Sequence, residues 1–123
     1  MPSKSVYYPI AMLDFVAEAI DLGHESAEEL CASYRKQEQE HGSINDDELE
    51  LVKTTFKEGL EEYVPYFAEQ LRRWQTTNLT SSQKQKISEL AKKNNNLIKI
   101  YTDGIALIDR FFFNKTVKIK FSR

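Results

Sequence analysis

The chain is poor in several residue types: one cysteine, one tryptophan, two histidines, three prolines and four glycines among 123 residues. Each scarcity removes a class of explanation. A single thiol, Cys31, cannot close an internal disulfide, which agrees with a reducing compartment. Glycines at 23, 42, 59 and 104 are too scattered to build a phosphate-cradling loop or a dinucleotide fingerprint. There is no Gly-x-Ser-x-Gly elbow, and two histidines offer few general bases. No segment approaches the roughly 20 apolar residues that a membrane span needs. The opening "MPSKSVYYPIAML" lacks an apolar run followed by a small-residue cleavage site, so a cytoplasmic chain is expected. "NLT" (78–80) and "NKT" (114–116) then match the glycosylation acceptor pattern by coincidence.

What is present is ordinary for a globular domain: 41% hydrophobic and 29% charged residues, enough for one core in one domain spanning 1–123. The net charge of −2 conceals a division. Residues 1–63 carry 15 Asp and Glu against 5 Lys and Arg, a balance of −10, whereas residues 64–123 carry 4 against 12, a balance of +8. In a helical bundle such halves attract, and acidic helices lying beside basic ones is the simplest outcome; a polyanion facing the basic half is the other.

The apolar spacing predicts an all-α fold. A first helix is expected over about 9–22, with Pro9 in its first turn, Ile10, Leu13, Ala17 and Ile20 on one face, and Gly23 as its stop. Ser26 and Glu29 have capping-box spacing and predict a second helix over 26–41, with Ala27, Leu30, Cys31 and Tyr34 inward and Gly42 closing it. The acidic cluster "NDDELE" favours a helix start, and a third helix over 46–74 follows. Leu49, Val52, Phe56, Leu60, Tyr63, Phe67, Leu71 and Trp74 form its stripe, and Pro65 predicts a kink that Gly59 would ease.

A fourth helix is expected over 81–113, with Thr80 or Ser81 and Gln83 as a second capping box. With Ile87 at heptad position a, the a, d and e sites run through Leu90, Ala91, Leu97, Ile98, Tyr101, Ile105, Ile108, Phe111 and Phe112, and only Asn94 and Gly104 break the apolar set. Ile100, Leu107 and Phe113 add a second apolar edge, to be covered by the first helix or by a second subunit in a homodimer. Beyond Asn114, Val117, Ile119 and Phe121 alternate with polar residues, which predicts a strand. Its nearest complement is "SVYY" (5–8), giving a short terminal β-ribbon. The expected architecture is an elongated four-helix bundle built on a long antiparallel helical hairpin, with that ribbon joining the ends.

Four sets of residues are candidates for function. Glu38 and His41 have the Glu-x-x-His spacing of metal-binding bundles, as weak metal candidates; Asp21 and His24 share it across Gly23. Histidines at helix ends also interact with the last carbonyls without any metal. The interval between Arg35 and His41 resembles the Arg-x4-6-His motif of the HEPN ribonucleases, small all-helical domains; that resemblance implies phosphodiester chemistry at these two residues, although the glutamates between them repel phosphate. Arg72, Arg73, Lys84, Lys86, Lys92, Lys93 and Lys99 form a basic stripe that a nucleic acid could contact. Asn94, Ile100, Leu107, Phe113, Val117, Ile119 and Phe121 are the candidate partner-binding residues, with Asn94 able to set register at a helical seam. No cofactor is implied. The function expected is a non-enzymatic protein–protein interaction or regulatory module, with a nucleic-acid-binding accessory protein as the alternative.

Overall fold

The computed structural model describes the backbone of residues 6–121 and side chains as far as residue 117. A 3-10 turn (Ile10–Met12) leads into α1 (Leu13–Gln39), followed by α2 (Asp46–Glu58), a π turn (Gly59–Tyr63), α3 (Val64–Gln75) and α4 (Ser81–Phe121). The protein is an all-α bundle. Its four α-helices lie along three rods, because α2, the π turn and α3 follow one another without a break.

The expected helices over 9–22 and 26–41 are one helix of 27 residues. Gly23 does not stop it, and Ser26 and Glu29 sit in its interior. The cause is a seven-residue repeat that continues through the glycine: Leu13, Ile20, Ala27 and Tyr34 are buried, as are Ala17 and Cys31. A mid-helix glycine costs about 1 kcal/mol, whereas each sizeable apolar side chain buried beyond it contributes about 1.5–3 kcal/mol. The rod ends where His41 takes the left-handed conformation (φ 55) and the Gly42 N–H donates back to the Gln37 carbonyl over 2.7 Å.

The caps of the other two rods form as their sequences suggest. Asn45 Oδ1 accepts from the Asp47 and Glu48 amides at 2.8 and 3.4 Å. Thr80 and Gln83 exchange reciprocal bonds of 2.9 and 3.1 Å, a complete capping box at the start of α4.

Helix α1 runs parallel to α4 in a fixed register. Asp21 pairs with Lys93, His24 with Asn96 and Glu38 with Arg110, each pair separated by 72 positions. The acidic half of the chain thereby meets the basic half, and Lys115 adds a contact to the Ile44 carbonyl and to Asp46. The middle rod runs the other way: Lys53 meets Asp109, while Asn94 meets Val64.

Two glycines set how closely the middle rod approaches α4. A Cβ at Gly104 would lie 2.5 Å from the Phe56 ring and 3.1 Å from Cys31 Sγ; one at Gly59 would lie 2.6 Å from the Tyr101 ring. Each ring occupies the space the opposite glycine leaves, and the two rings meet with centroids 5.5 Å apart. Gly59 also opens the π turn, in which the Val64 N–H donates to the Gly59 carbonyl five residues back. The extra residue slips the inward phase, so Val64 is buried and Tyr63, expected in the stripe, is 44% exposed.

The terminal β-ribbon does not form: among the described residues there is no strand, and α4 continues through 114–121 as helix. Extending an existing helix avoids the cost of nucleation, while a lone strand gains nothing without a partner. That partner is engaged elsewhere. Gln70, fully buried, accepts from the Tyr8 amide at 2.6 Å and donates to the Tyr8 carbonyl at 3.2 Å, and Trp74 Nε1 donates to the same carbonyl at 3.0 Å. Tyr7 stacks on Tyr66 and also carries the Arg73 guanidinium over its ring, and the Tyr66 hydroxyl donates to the Val6 carbonyl. The segment 6–9 is thus fixed against α3, beside the start of α4. Forty-one helical residues place its end about 60 Å away.

Substitution of the glycines should separate these roles. Gly104→Ala and Gly59→Ala are each expected to destabilise the fold by about 1–3 kcal/mol through overpacking. Gly23→Ala should stabilise it by about 1 kcal/mol, since a Cβ there meets nothing within 4 Å. Urea denaturation of the three variants checks the signs. A second expectation concerns pH. The Tyr34 hydroxyl donates to Glu48 Oε2 at 2.9 Å, and burial together with that carboxylate pushes its pKa up to about 12. The unfolded chain therefore releases this proton first, so the contribution is fully present below about pH 10 and is lost as pH rises toward 12. Stability measured from pH 9 to pH 11 should fall less steeply in Tyr34→Phe.

Candidate functional site

The structure separates most of the residues grouped by sequence. Glu38 is held by Arg110 through bonds of 2.7 and 3.1 Å, which keep its carboxyl below the usual carboxylate range. His41 lies past the end of α1 and lines, with Glu38, Phe111 and Asn114, a hollow of about 420 Å³. Asp21 is taken by Lys93, and His24 is held between Glu28 and Asn96, 3.0 Å from each. Among the described residues no three His, Cys, Asp or Glu side chains converge as a metal site. The charge of Arg35 acts on Cys31 and Asp103. Cys31 is buried, its thiol 3.8 Å from the Ile100 carbonyl, and burial pushes its pKa up.

The basic stripe is partly neutralised from within. Arg72 and Arg73 both bond Glu69, Lys93 bonds Asp21, and Lys99 bonds Asp103 at 2.7 Å. Lys84, Lys86 and Lys92 are exposed, and no carboxylate pairs with them among the described residues.

The partner-binding set does not form one surface either. Leu107 is buried in the core cluster of Cys31, Phe56 and Phe111, and Ile100 packs against it. Two residues of the second apolar edge of α4, Ile100 and Leu107, are thus covered from within the chain. Phe113 is 66% exposed, and Val117 is half-buried one helical turn further along. Ile119 and Phe121 lie beyond the described side chains. Ile98, expected in the core, is 41% exposed.

Asn94 stands between two of the concave features among the described residues. On one side α3 and α4 enclose an open groove of about 430 Å³, with Val64, Ala68, Leu71 and Ala91 below and Arg72 and Lys92 above. Ile98 borders it. On the other side α1, the π turn and α4 enclose a smaller hollow of about 270 Å³, lined by Ala19, Ile20, Phe67, Leu97 and Tyr101. Asn94 lines both, is only 2% exposed, and donates its Nδ2 to the Val64 carbonyl at 3.0 Å. Its Oδ1 has no hydrogen-bond partner. Leaving a buried acceptor unpaired costs about 1–3 kcal/mol, so this atom marks a place where the fold is not optimised for stability. The heptad located Asn94 at an inward position; the slip at the π turn, which brings Val64 under it, leaves no mark in the heptad pattern.

No protein-family model matches the chain, and no curated protein or solved structure matches it. Among the described residues no helix is long and apolar enough to cross a membrane.

With Glu38 and His41 apart from any third ligand, His41→Ala should leave zinc and iron content, and any RNA cleavage, unchanged. Loss of metal or of cleavage in that variant, measured by elemental analysis and by a labelled-RNA assay, would contradict the placement.

Proposed function

We propose that the protein is a non-enzymatic, cytoplasmic interaction module that receives an acidic amphipathic helix in the α3/α4 groove. One observation carries this reading: α1 covers one side of the α3/α4 pair, while the opposite side keeps an apolar floor under Arg72 and Lys92 with Ile98 exposed beside it. A trough between two antiparallel helices fits the apolar face of another helix, which would complete a four-rod bundle. Lys92, with which no carboxylate pairs among the described residues, supplies the sign of the partner's charge. The internal ion pairs of Arg72, Arg73, Lys93 and Lys99 weaken the nucleic-acid alternative, since those cations are already engaged.

The test is a photo-crosslinking residue at position 98 in the native host. The expected product is a covalent adduct whose peptide map gives an acidic helical segment of another protein, and the adduct should disappear in Ala68→Glu. Adducts to nucleic acid, or protein adducts unaffected by Ala68→Glu, would sink the reading. In parallel, the purified protein should show no binding to duplex or single-stranded DNA at about 50 mM salt, where phosphate contacts are strong.

A further inference from the structure

We infer that the hollow between α1, the π turn and α4 is a binding site for a compact, flat apolar molecule carrying one hydrogen-bond donor. The size of the site sets the first limit. An apolar cavity of about 150 Å³ accommodates benzene, so the hollow, at about 270 Å³, has room for a bicyclic aromatic. The lining sets the second. Ala19, Ile20, Phe67 and Leu97 offer carbon, Tyr63 and Tyr101 complete the lining, and Asn94 supplies the amide.

Asn94 makes the site specific. Its Nδ2 is committed to the Val64 carbonyl, which fixes the amide's orientation and leaves Oδ1 as a buried acceptor with no partner. A water molecule held there needs two to four polar partners, and this lining is mostly apolar. Oδ1 is buried, so a ligand with a single N–H or O–H reaches it by displacing the side chains that cover it, and its remaining surface then meets carbon. That combination of apolar walls and one oriented polar group is the usual composition of a small-molecule site.

A way in is present. Gly23 lies at the hollow with open space where a side chain would stand. Ala19, Tyr63 and Phe67 also line a neighbouring groove with Val6, Phe15 and Tyr66, an apolar approach along the outside of α1 and α3. The glycine absent from any capping role in α1 thereby acquires one, as the residue that keeps the hollow open.

Indole and benzofuran test this directly, because they share a shape and differ in the N–H. In spectra of the 15N-labelled protein, indole should shift the Asn94 side-chain amide and the Gly23 and Tyr101 backbone signals saturably, with a dissociation constant below about 1 mM. Benzofuran should bind about tenfold more weakly, and Asn94→Leu should abolish that difference. Ala19→Phe and Gly23→Leu, which fill the hollow from two positions, should each remove indole binding. The inference is overturned if indole moves none of these signals at about 10 mM, if benzofuran binds as well as indole to the wild-type chain, or if a folded filling variant binds indole unchanged. The comparison of the two probes on the wild-type protein decides the matter even if every variant fails to fold.

Discussion

The exchange of two aromatic rings for two missing side chains fixes the centre of this bundle. Phe56 fills the space at Gly104 and Tyr101 the space at Gly59, so the middle rod and α4 approach more closely than any larger residue permits. The contact lies immediately before the π turn, and Gly59 belongs to both. Once the rings are seated, the register of the middle rod on α4 is set, and the extra residue of the turn brings Val64 inward against Asn94. The amide bond from Asn94 to the Val64 carbonyl, the unpaired Oδ1 beside it and the hollow on the far side all follow from that position.

The second constraint is the continuity of α1. With Gly23 inside a helix, the described residues make three rods, and three rods running up, down and up leave residues 6–9 and 114–121 at opposite poles. Four would have brought them together. The terminal ribbon fails for this reason before any question of strand propensity arises, since Tyr8 is fixed beside the start of α4 and residues 114–121 extend its other end. The polar contacts of Gln70 and Trp74 with Tyr8 show how the extended segment satisfies its backbone without a sheet. Parallel registration of α1 on α4 then places Asp21 and Glu38 opposite Lys93 and Arg110, so the opposed charges of the two halves meet inside one chain. These are exposed pairs, and their value lies in orientation more than in stability.

Function, on this view, resides in the places where the bundle is incomplete. Among the described residues the α3/α4 pair is covered on one side only, and the side left open is apolar below and cationic above. The hollow on the covered side is small and holds an amide whose oxygen no protein group satisfies. The two sites share Val64 and Asn94 as a common wall, so a group bound in one touches residues that line the other.

Much of this was legible in the sequence. The seven-residue repeat of α4 identified Ile87, Leu90, Leu97, Ile108 and Phe111 as core, and the Thr80 and Gln83 spacing identified where that helix begins. The repeat in α1 could also have been followed through Gly23, because Ile20, Ala27 and Tyr34 keep the same interval on both sides. Local patterns record these features because a helix is specified by residues three, four and seven apart. What only the tertiary structure decided is which apolar edge would be covered. Ile100 and Leu107 read like a partner surface yet lie against the core, Ile98 reads like core yet is exposed, and Asn94, buried where the heptad puts it, borders two hollows. Each outcome depends on contacts between residues tens of positions apart and on a one-residue slip at the π turn, which the heptad pattern cannot register because helical periodicity assumes the turn away.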